Sequence, residues 1–141
     1  MNLKNIMTKD VSTVSPDTTI NEAAQLMKEL DVGSIPVCEG TKPVGILTDR
    51  DITIRNVAEG DNPTTPVKNV MTEDLVYGSP EMSVDEASKI MADNQIRRLP
   101  IVEEGNLIGI ISLGDIAVDT TADVEIADAL SSISVPSKPQ K

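Results

Sequence analysis

The sequence predicts an α+β fold built from two pseudo-symmetric repeats, each strand-helix-strand-strand-helix, packed together as one module. The first observation is a gapless repeat. Lys4-Asn5-Ile6-Met7-Thr8-Lys9-Asp10 returns as Lys68-Asn69-Val70-Met71-Thr72-Glu73-Asp74. Ser15-Pro16, Glu22-Ala23, Met27, Pro36, Gly45-Ile46 and Asp51-Ile52 return as Ser79-Pro80, Glu86-Ala87, Met91, Pro100, Gly109-Ile110 and Asp115-Ile116. Two copies are too few for a solenoid, so the halves are expected to pack on each other. The second observation is an amphipathic run in each copy, and the third is a pair of β-rich runs joined by a turn.

Each copy opens with an extended piece, Val11 to Val14 and Leu75 to Tyr77, ended by Ser-Pro, because proline pushes the residue before it out of the helical region. These read as short strands. Thr19-Ile20-Asn21-Glu22 and Ser83-Val84-Asp85-Glu86 then read as capping boxes that start helices. Ile20, Ala23, Ala24, Met27 and Leu30 share one helical stripe, as do Val84, Ala87, Ile90 and Met91. Ser34 to Glu39 and Leu99 to Glu103 are strand-forming runs. They are followed by the turns Gly40-Thr41-Lys42-Pro43 and Glu104-Gly105-Asn106 and by returning strands at Val44 to Leu47 and Leu107 to Ile111. A last helix opens at Thr48-Asp49-Arg50-Asp51 and at Ser112-Leu113-Gly114-Asp115.

The predicted organisation is repeat 1 over residues 1–59, a polar linker over 60–66, repeat 2 over 67–119, a C-terminal helix over 120–133 and a mobile tail over 134–141. The C-terminal helix fits an oligomer contact and a surface helix on its own chain equally well.

With 141 residues and 39% hydrophobic content, the chain suits a single compact domain. Its core must be aliphatic, because there is no Phe or Trp and Tyr77 is the one aromatic residue. A formal charge of −11 repels phosphate backbones and anionic lipid, which argues against nucleic-acid and membrane-surface partners. The lone Cys38 allows no internal disulfide, and the N-terminus lacks a long apolar stretch, so a cytoplasmic location is expected. With no His and one Cys, the usual parts of serine-triad, cysteine-protease and zinc-hydrolase chemistry are missing. The chain is therefore not expected to be an enzyme, nor to need an obligatory cofactor or a metal.

The chemistry-bearing pattern is Gly45 to Asp51, matched by Gly109 to Asp115. A strand-to-helix junction offers free backbone N–H groups that attract phosphate. A hydroxyl at Thr48 or Ser112 can join them, and a carboxylate at Asp51 or Asp115 can accept both hydroxyls of a ribose. The same residues also form an ordinary capping box, and both roles fit each junction.

The repeated set Ile6-Met7-Thr8, Ser34-Ile35-Pro36-Val37, Arg98-Leu99-Pro100-Ile101, Gly45 to Asp51 and Gly109 to Asp115 resembles tandem cystathionine-β-synthase (CBS) domains, also called Bateman modules. The resemblance covers the chain to about Asp119. It implies adenosine-ligand clefts between the repeats, with Asp51 and Asp115 on ribose and Thr48 and Ser112 near phosphate. Thr13, Ile35, Pro36, Tyr77, Leu99 and Pro100 become base-pocket candidates. Arg97 and Arg98 look like a basic stretch aimed at phosphate, whereas the first repeat has Gly33 and Ser34 there and offers Arg50 instead, so unequal sites are expected. A surface salt-bridge role for the two arginines stays open. Tyr77 fits either base stacking or ordinary packing.

The function expected from this reading is a regulatory protein that binds AMP, ADP or ATP as a regulatory ligand. It would act as a homodimer and signal through an effector protein. The alternative is a ligand-free dimeric interaction or stress-related scaffold.

Overall fold

A computed structural model describes residues 2–117 and Ile133. The expected C-terminal helix and tail otherwise lie outside the described residues. Ile133 itself has helical backbone and packs on an apolar core. The predicted α+β class with two repeats is what the structure shows.

In chain order the first repeat contributes α1 (Ile20–Leu30), β1 (Ser34–Glu39), β2 (Lys42–Thr48) and α2 (Asp49–Ile52). The second contributes α3 (Val84–Asn94), β3 (Arg98–Glu103), β4 (Asn106–Ser112) and α4 (Leu113–Ala117). After α2 the helix widens into a π turn over Thr53–Val57, closed by the Ala58 N–H on Thr53 O at 2.9 Å.

Local chemistry accounts for these elements. At α1 the Thr19 side chain accepts from Glu22 N–H, and the Glu22 carboxylate accepts from Thr19 N–H, giving the full capping box. At α3 the Ser83 hydroxyl accepts from Glu86 N–H at 3.1 Å, which is the hydroxyl half of the predicted box. Both helices end on a left-handed residue, Asp31 (φ 55) and Gln95 (φ 53). The next N–H, from Val32 or Ile96, returns to the carbonyl of Met27 or Met91 and satisfies it. Ile20, Ala23 and Met27 are buried as the stripe predicts. Leu30, expected on the same stripe, is the last residue of the helix and is 43% exposed.

β1 and β2 form an antiparallel hairpin with Ile35 opposite Leu47 and Pro36 opposite Ile46, and a bulge between Val37 and Cys38. The bulge accommodates Pro43, which has no N–H for the ladder and sits opposite Cys38. The second hairpin turns through Glu104 (φ 51) and Gly105 (φ 79), the paired positive φ of a type I′ turn.

The expected strands at Val11 to Val14 and Leu75 to Tyr77 reduce to single parallel bridges, Val14 to Val37 and Gly78 to Ile101. Ser-Pro follows too soon for a ladder to grow. On the far edge of each hairpin lies a further bridge, Ile46 to Thr72 and Ile110 to Thr8.

Those outer bridges expose an exchange. The described residues form two compact units that do not follow chain order. One holds Val11–Leu75 with the hairpin tip Glu104–Leu107. The other holds the chain start through Asp10, then Val76–Glu103, then the described residues from Ile108. Each repeat's opening segment therefore belongs to the unit built on the other repeat's helix and hairpin. Val67 and Val70 are buried among Val14, Ile20, Ala23, Met27, Ile35, Val37 and Leu47. Leu3 is buried among Val84, Ala87, Met91, Leu99, Ile101, Ile111, Leu113 and Ile116. Backbone bonds tie the exchange down: Val67 N–H to Thr18 O and Lys68 N–H to Pro16 O in one unit, Leu3 N–H to Met82 O and Lys4 N–H to Pro80 O in the other.

Candidate functional site: two strand-to-helix junctions

The first junction lies where β2 runs into α2. Thr48 has extended backbone, so its hydroxyl reaches forward to accept from Asp51 N–H at 3.0 Å. The Asp51 carboxylate reaches back to accept from Thr48 N–H at 3.0 Å. Asp51 is 8% exposed, a rare burial for a carboxylate, and it has further partners. The Thr72 hydroxyl donates to both its oxygens at 3.3 Å, and Arg55 Nε stands 4.0 Å from Oδ1. Arg55 also donates to the carbonyls of Val70 and Met71, at 3.2 Å each. Thr72 and Arg55 were not among the residues the sequence singled out.

The closeness of that segment explains Gly45. A Cβ there would stand 2.7 Å from Thr72 O and 2.9 Å from Met71 Sδ, so no larger residue fits. Gly33 is crowded differently, since its Cβ would meet the Asp49 carboxylate at 3.0 Å.

The second junction repeats the backbone design between β4 and α4. Asp115 N–H donates to Ser112 Oγ at 3.1 Å, and Ser112 N–H donates to Asp115 Oδ2 at 2.9 Å. Leu113 N–H donates to Arg97 O at 3.0 Å, as Asp49 N–H does to Gly33 O at 2.8 Å. Burial of the Arg98 guanidinium lowers its pKa, and the nearby Asp115 carboxylate partly opposes that shift. Arg97 is exposed.

The other candidates fall into three groups. Ile35 and Leu99 are fully buried core residues, so their side chains face the apolar interior. Pro36 and Pro100 are buried too, and their carbonyls accept from Val14 N–H and Gly78 N–H. Thr13 and Arg50 are exposed, and Tyr77 is 55% exposed, so it does not pack in a core. Within one unit the structure gathers Thr13, Ile35, Pro36, Thr48, Arg50 and Asp51. Within the other it gathers Tyr77, Arg97, Arg98, Leu99, Pro100, Ser112 and Asp115.

A family model described as the CBS domain matches residues 3–55 and again 67–118. The chain belongs to the CBS-domain family. It is 52% identical over 132 residues to the CBS domain-containing protein YhcV of Bacillus subtilis, covering 94% of each chain. A crystal structure of Hypoxic Response Protein I with two coordinated zinc ions superposes with a TM-score of 0.78 at 34% identity, covering 84% of this chain and 98% of that one. Inosine-5'-monophosphate dehydrogenase of Methanocaldococcus jannaschii is 42% identical over 113 residues, but the match spans 79% of this CBS chain and 22% of the dehydrogenase. The CBS chain has no His and a single buried Cys, so the nitrogen and thiolate ligands that zinc favours are scarce in it. No described helix is long and apolar enough to cross a membrane.

Proposed function

We propose that this CBS-pair chain is a regulatory sensor of an adenosine-containing ligand of the AMP, ADP or ATP type. It works in the cytoplasm as a homodimer, carries out no catalysis and hands its state to a protein partner. The observation that carries the reading is the recurrence, at both strand ends, of a hydroxyl and a carboxylate held three residues apart by reciprocal hydrogen bonds. A carboxylate fixed in this way loses little rotamer freedom when it accepts a ribose diol. Arg97 and Arg98 add the positive charge that a phosphate requires on a chain of net −11.

The same hydrogen bonds support a second reading, in which the junctions only cap their helices and the protein is a ligand-free dimeric scaffold. Thermal unfolding with AMP, ADP, ATP, S-adenosylmethionine and cyclic dinucleotides separates the two. A ligand at 100 times its dissociation constant stabilises the fold by about 2.7 kcal/mol. An unmoved melt across the whole panel defeats the sensor and leaves the scaffold standing.

A further inference from the structure

We propose that two copies of the chain join by arm exchange: the segment Asn2–Thr8 of each leaves its own groove and docks in the matching groove of the other. This inference rests on the homodimer proposed above and adds which surface joins the copies.

The two opening segments are twins in backbone and differ in their side chains. Each folds into one tight turn, closed by Met7 N–H on Leu3 O at 2.8 Å and by Met71 N–H on Val67 O at 2.9 Å. The same four backbone bonds hold each in place. Leu3 N–H and Lys4 N–H meet Met82 O and Pro80 O, as Val67 N–H and Lys68 N–H meet Thr18 O and Pro16 O. Thr8 pairs both ways with Ile110, as Thr72 does with Ile46. Side chains then secure only the later twin. The Thr72 hydroxyl donates to Asp51, Lys68 Nζ donates to Asp17 at 3.1 Å, and Arg55 donates to the carbonyls of Val70 and Met71. Among the described residues none of these ties has a counterpart on Asn2–Thr8, and the equivalent of Arg55 is Asp119, whose carboxylate cannot donate to a carbonyl.

The connection behind the first arm is loose as well. Lys9, Asp10, Val11, Ser12 and Thr13 make no backbone hydrogen bond among the described residues, and all but Val11 are exposed. They can swing without breaking anything. The later connection is braced by Leu75 N–H on Glu73 O at 2.8 Å.

The groove names its occupant. Leu3 is fully buried in it, a branched aliphatic knob among Val84, Ala87, Met91 and Leu99. The chain carries one hexapeptide pattern twice, Leu3-Lys4-Asn5-Ile6-Met7-Thr8 and Val67-Lys68-Asn69-Val70-Met71-Thr72, and seats both in equivalent grooves. A second copy therefore brings a segment already shaped for the socket, with its turn preformed. Exchange is reciprocal, so two chains close a symmetric pair and leave no groove empty. The docked contacts are the same in either chain, so tether and concentration decide between them. A tethered arm meets its own groove at an effective concentration of about a millimolar, and the exchanged pair grows as the protein approaches that level.

Disulfide trapping on the full chain, in a Cys38→Val background, tests this. Thr8→Cys with Ile110→Cys puts two thiols on a hydrogen-bonded antiparallel pair, about 5.5 Å apart at Cα and within disulfide reach. Protein oxidised at about 1 mM should run as a covalent dimer in denaturing gels without reductant. Thr72→Cys with Ile46→Cys, the twin pair, should close within one chain and run as a monomer. A monomer band from the first pair, while sedimentation shows a dimer, overturns arm exchange and leaves the homodimer standing. Covalent dimers from both pairs overturn the assignment of exchange to the first arm. Sedimentation as a monomer throughout removes exchange and homodimer together. In case Ile110→Cys fails to fold, deletion of Ser12 and Thr13 gives a second readout with arm and groove intact. The tether loses about 7 Å of reach, which pulls the arm from its own groove. The dimer dissociation constant should then fall about tenfold or more, and an unchanged constant overturns the exchange.

Discussion

At the first junction the acid is buried and crowded by side chains from two parts of the sequence. At the second, Asp115 is only partly buried and meets a cation on β3. The backbone design is identical, down to the reciprocal bonds between hydroxyl residue and acid, yet the cation beside Asp51 comes from the turn after α2 and the one beside Asp115 from β3. The repeat supplies two copies of one geometry, and the differing residues at Gly33, Asp49 and Arg55 change the company each acid keeps. What separates the junctions is the identity of a few neighbours rather than any difference in element order.

The largest expected effect follows from that division. Asp51→Ala strips a cap, leaves the Thr72 hydroxyl without its acceptor and removes the carboxylate beside Arg55, so unfolding free energy should fall by about 2–4 kcal/mol. Asp115→Ala removes a cap and should cost about 0.5–2 kcal/mol. Urea melts of the two variants measure both. Equal losses would mean that Thr72 and Arg55 add nothing at the first junction, and the contrast between the units would collapse.

The glycines at the start of each motif sharpen the comparison. A methyl group on Gly45 meets the backbone oxygen of Thr72, which can move only by parting from Ile46, so Gly45→Ala should cost about 1–3 kcal/mol. On Gly109 the nearest atom is Met7 Sδ at 2.6 Å, the end of a flexible side chain, with Thr8 O at 3.0 Å. Gly109→Ala should therefore cost about 1 kcal/mol or less, because a thioether swings aside more readily than a strand. A larger loss at Gly109 in chemical melts would reverse the ranking of the two outer segments.

Much of this was legible in the sequence, and what was not has a common cause. The helices, hairpins and capping residues are specified by neighbours three or four apart, so Thr19, Ser83, Gly105 and the 34–39 run announce themselves locally. The exchange of opening segments is specified by contacts more than fifty residues apart, such as Lys68 with Pro16 in one unit and Leu3 with Met82 in the other, and no local pattern carries them. Thr72 was visible as the twin of Thr8, but its partner Asp51 was not. Arg55 left a fainter trace: it is one of the positions where the repeat changes charge sign, to Asp119 as Lys9 does to Glu73. Candidates assigned through resemblance alone, such as Ile35 and Leu99, proved to be core residues whose part in any pocket would be played by backbone.

Helix starts give a smaller contrast. Thr19 closes a full box and its hydroxyl also donates to Glu22 Oε1 at 2.9 Å, so Thr19→Ala should cost about 1–2 kcal/mol. Ser83 supplies the hydroxyl half, and Ser83→Ala should cost about 0.5–1 kcal/mol. Hydrogen exchange at the first turns of α1 and α3 reads each loss separately, and faster opening of α3 than α1 in these variants would contradict the assignment of the stronger cap.

The smallest effect concerns Cys38, whose equivalent in the second repeat is Val102. Burial raises the Cys38 thiol above its ordinary pKa, because the interior disfavours the thiolate. In the unfolded chain the thiol ionises at about 8.5, while in the fold it holds its proton to higher pH. Between those two values the folded state binds more protons, so the contribution is complete below the unfolded pKa and is lost as pH rises through the folded one. Cys38→Val conserves shape and should change stability at pH 7 by less than about 1 kcal/mol. It should also flatten the decline in stability that the parent shows above pH ~8.5, where the unfolded thiol begins to ionise. A parent and variant that fade in parallel above that pH would show the thiolate to be tolerated beside the bulge, and the first hairpin to be less tightly packed than its buried residues imply.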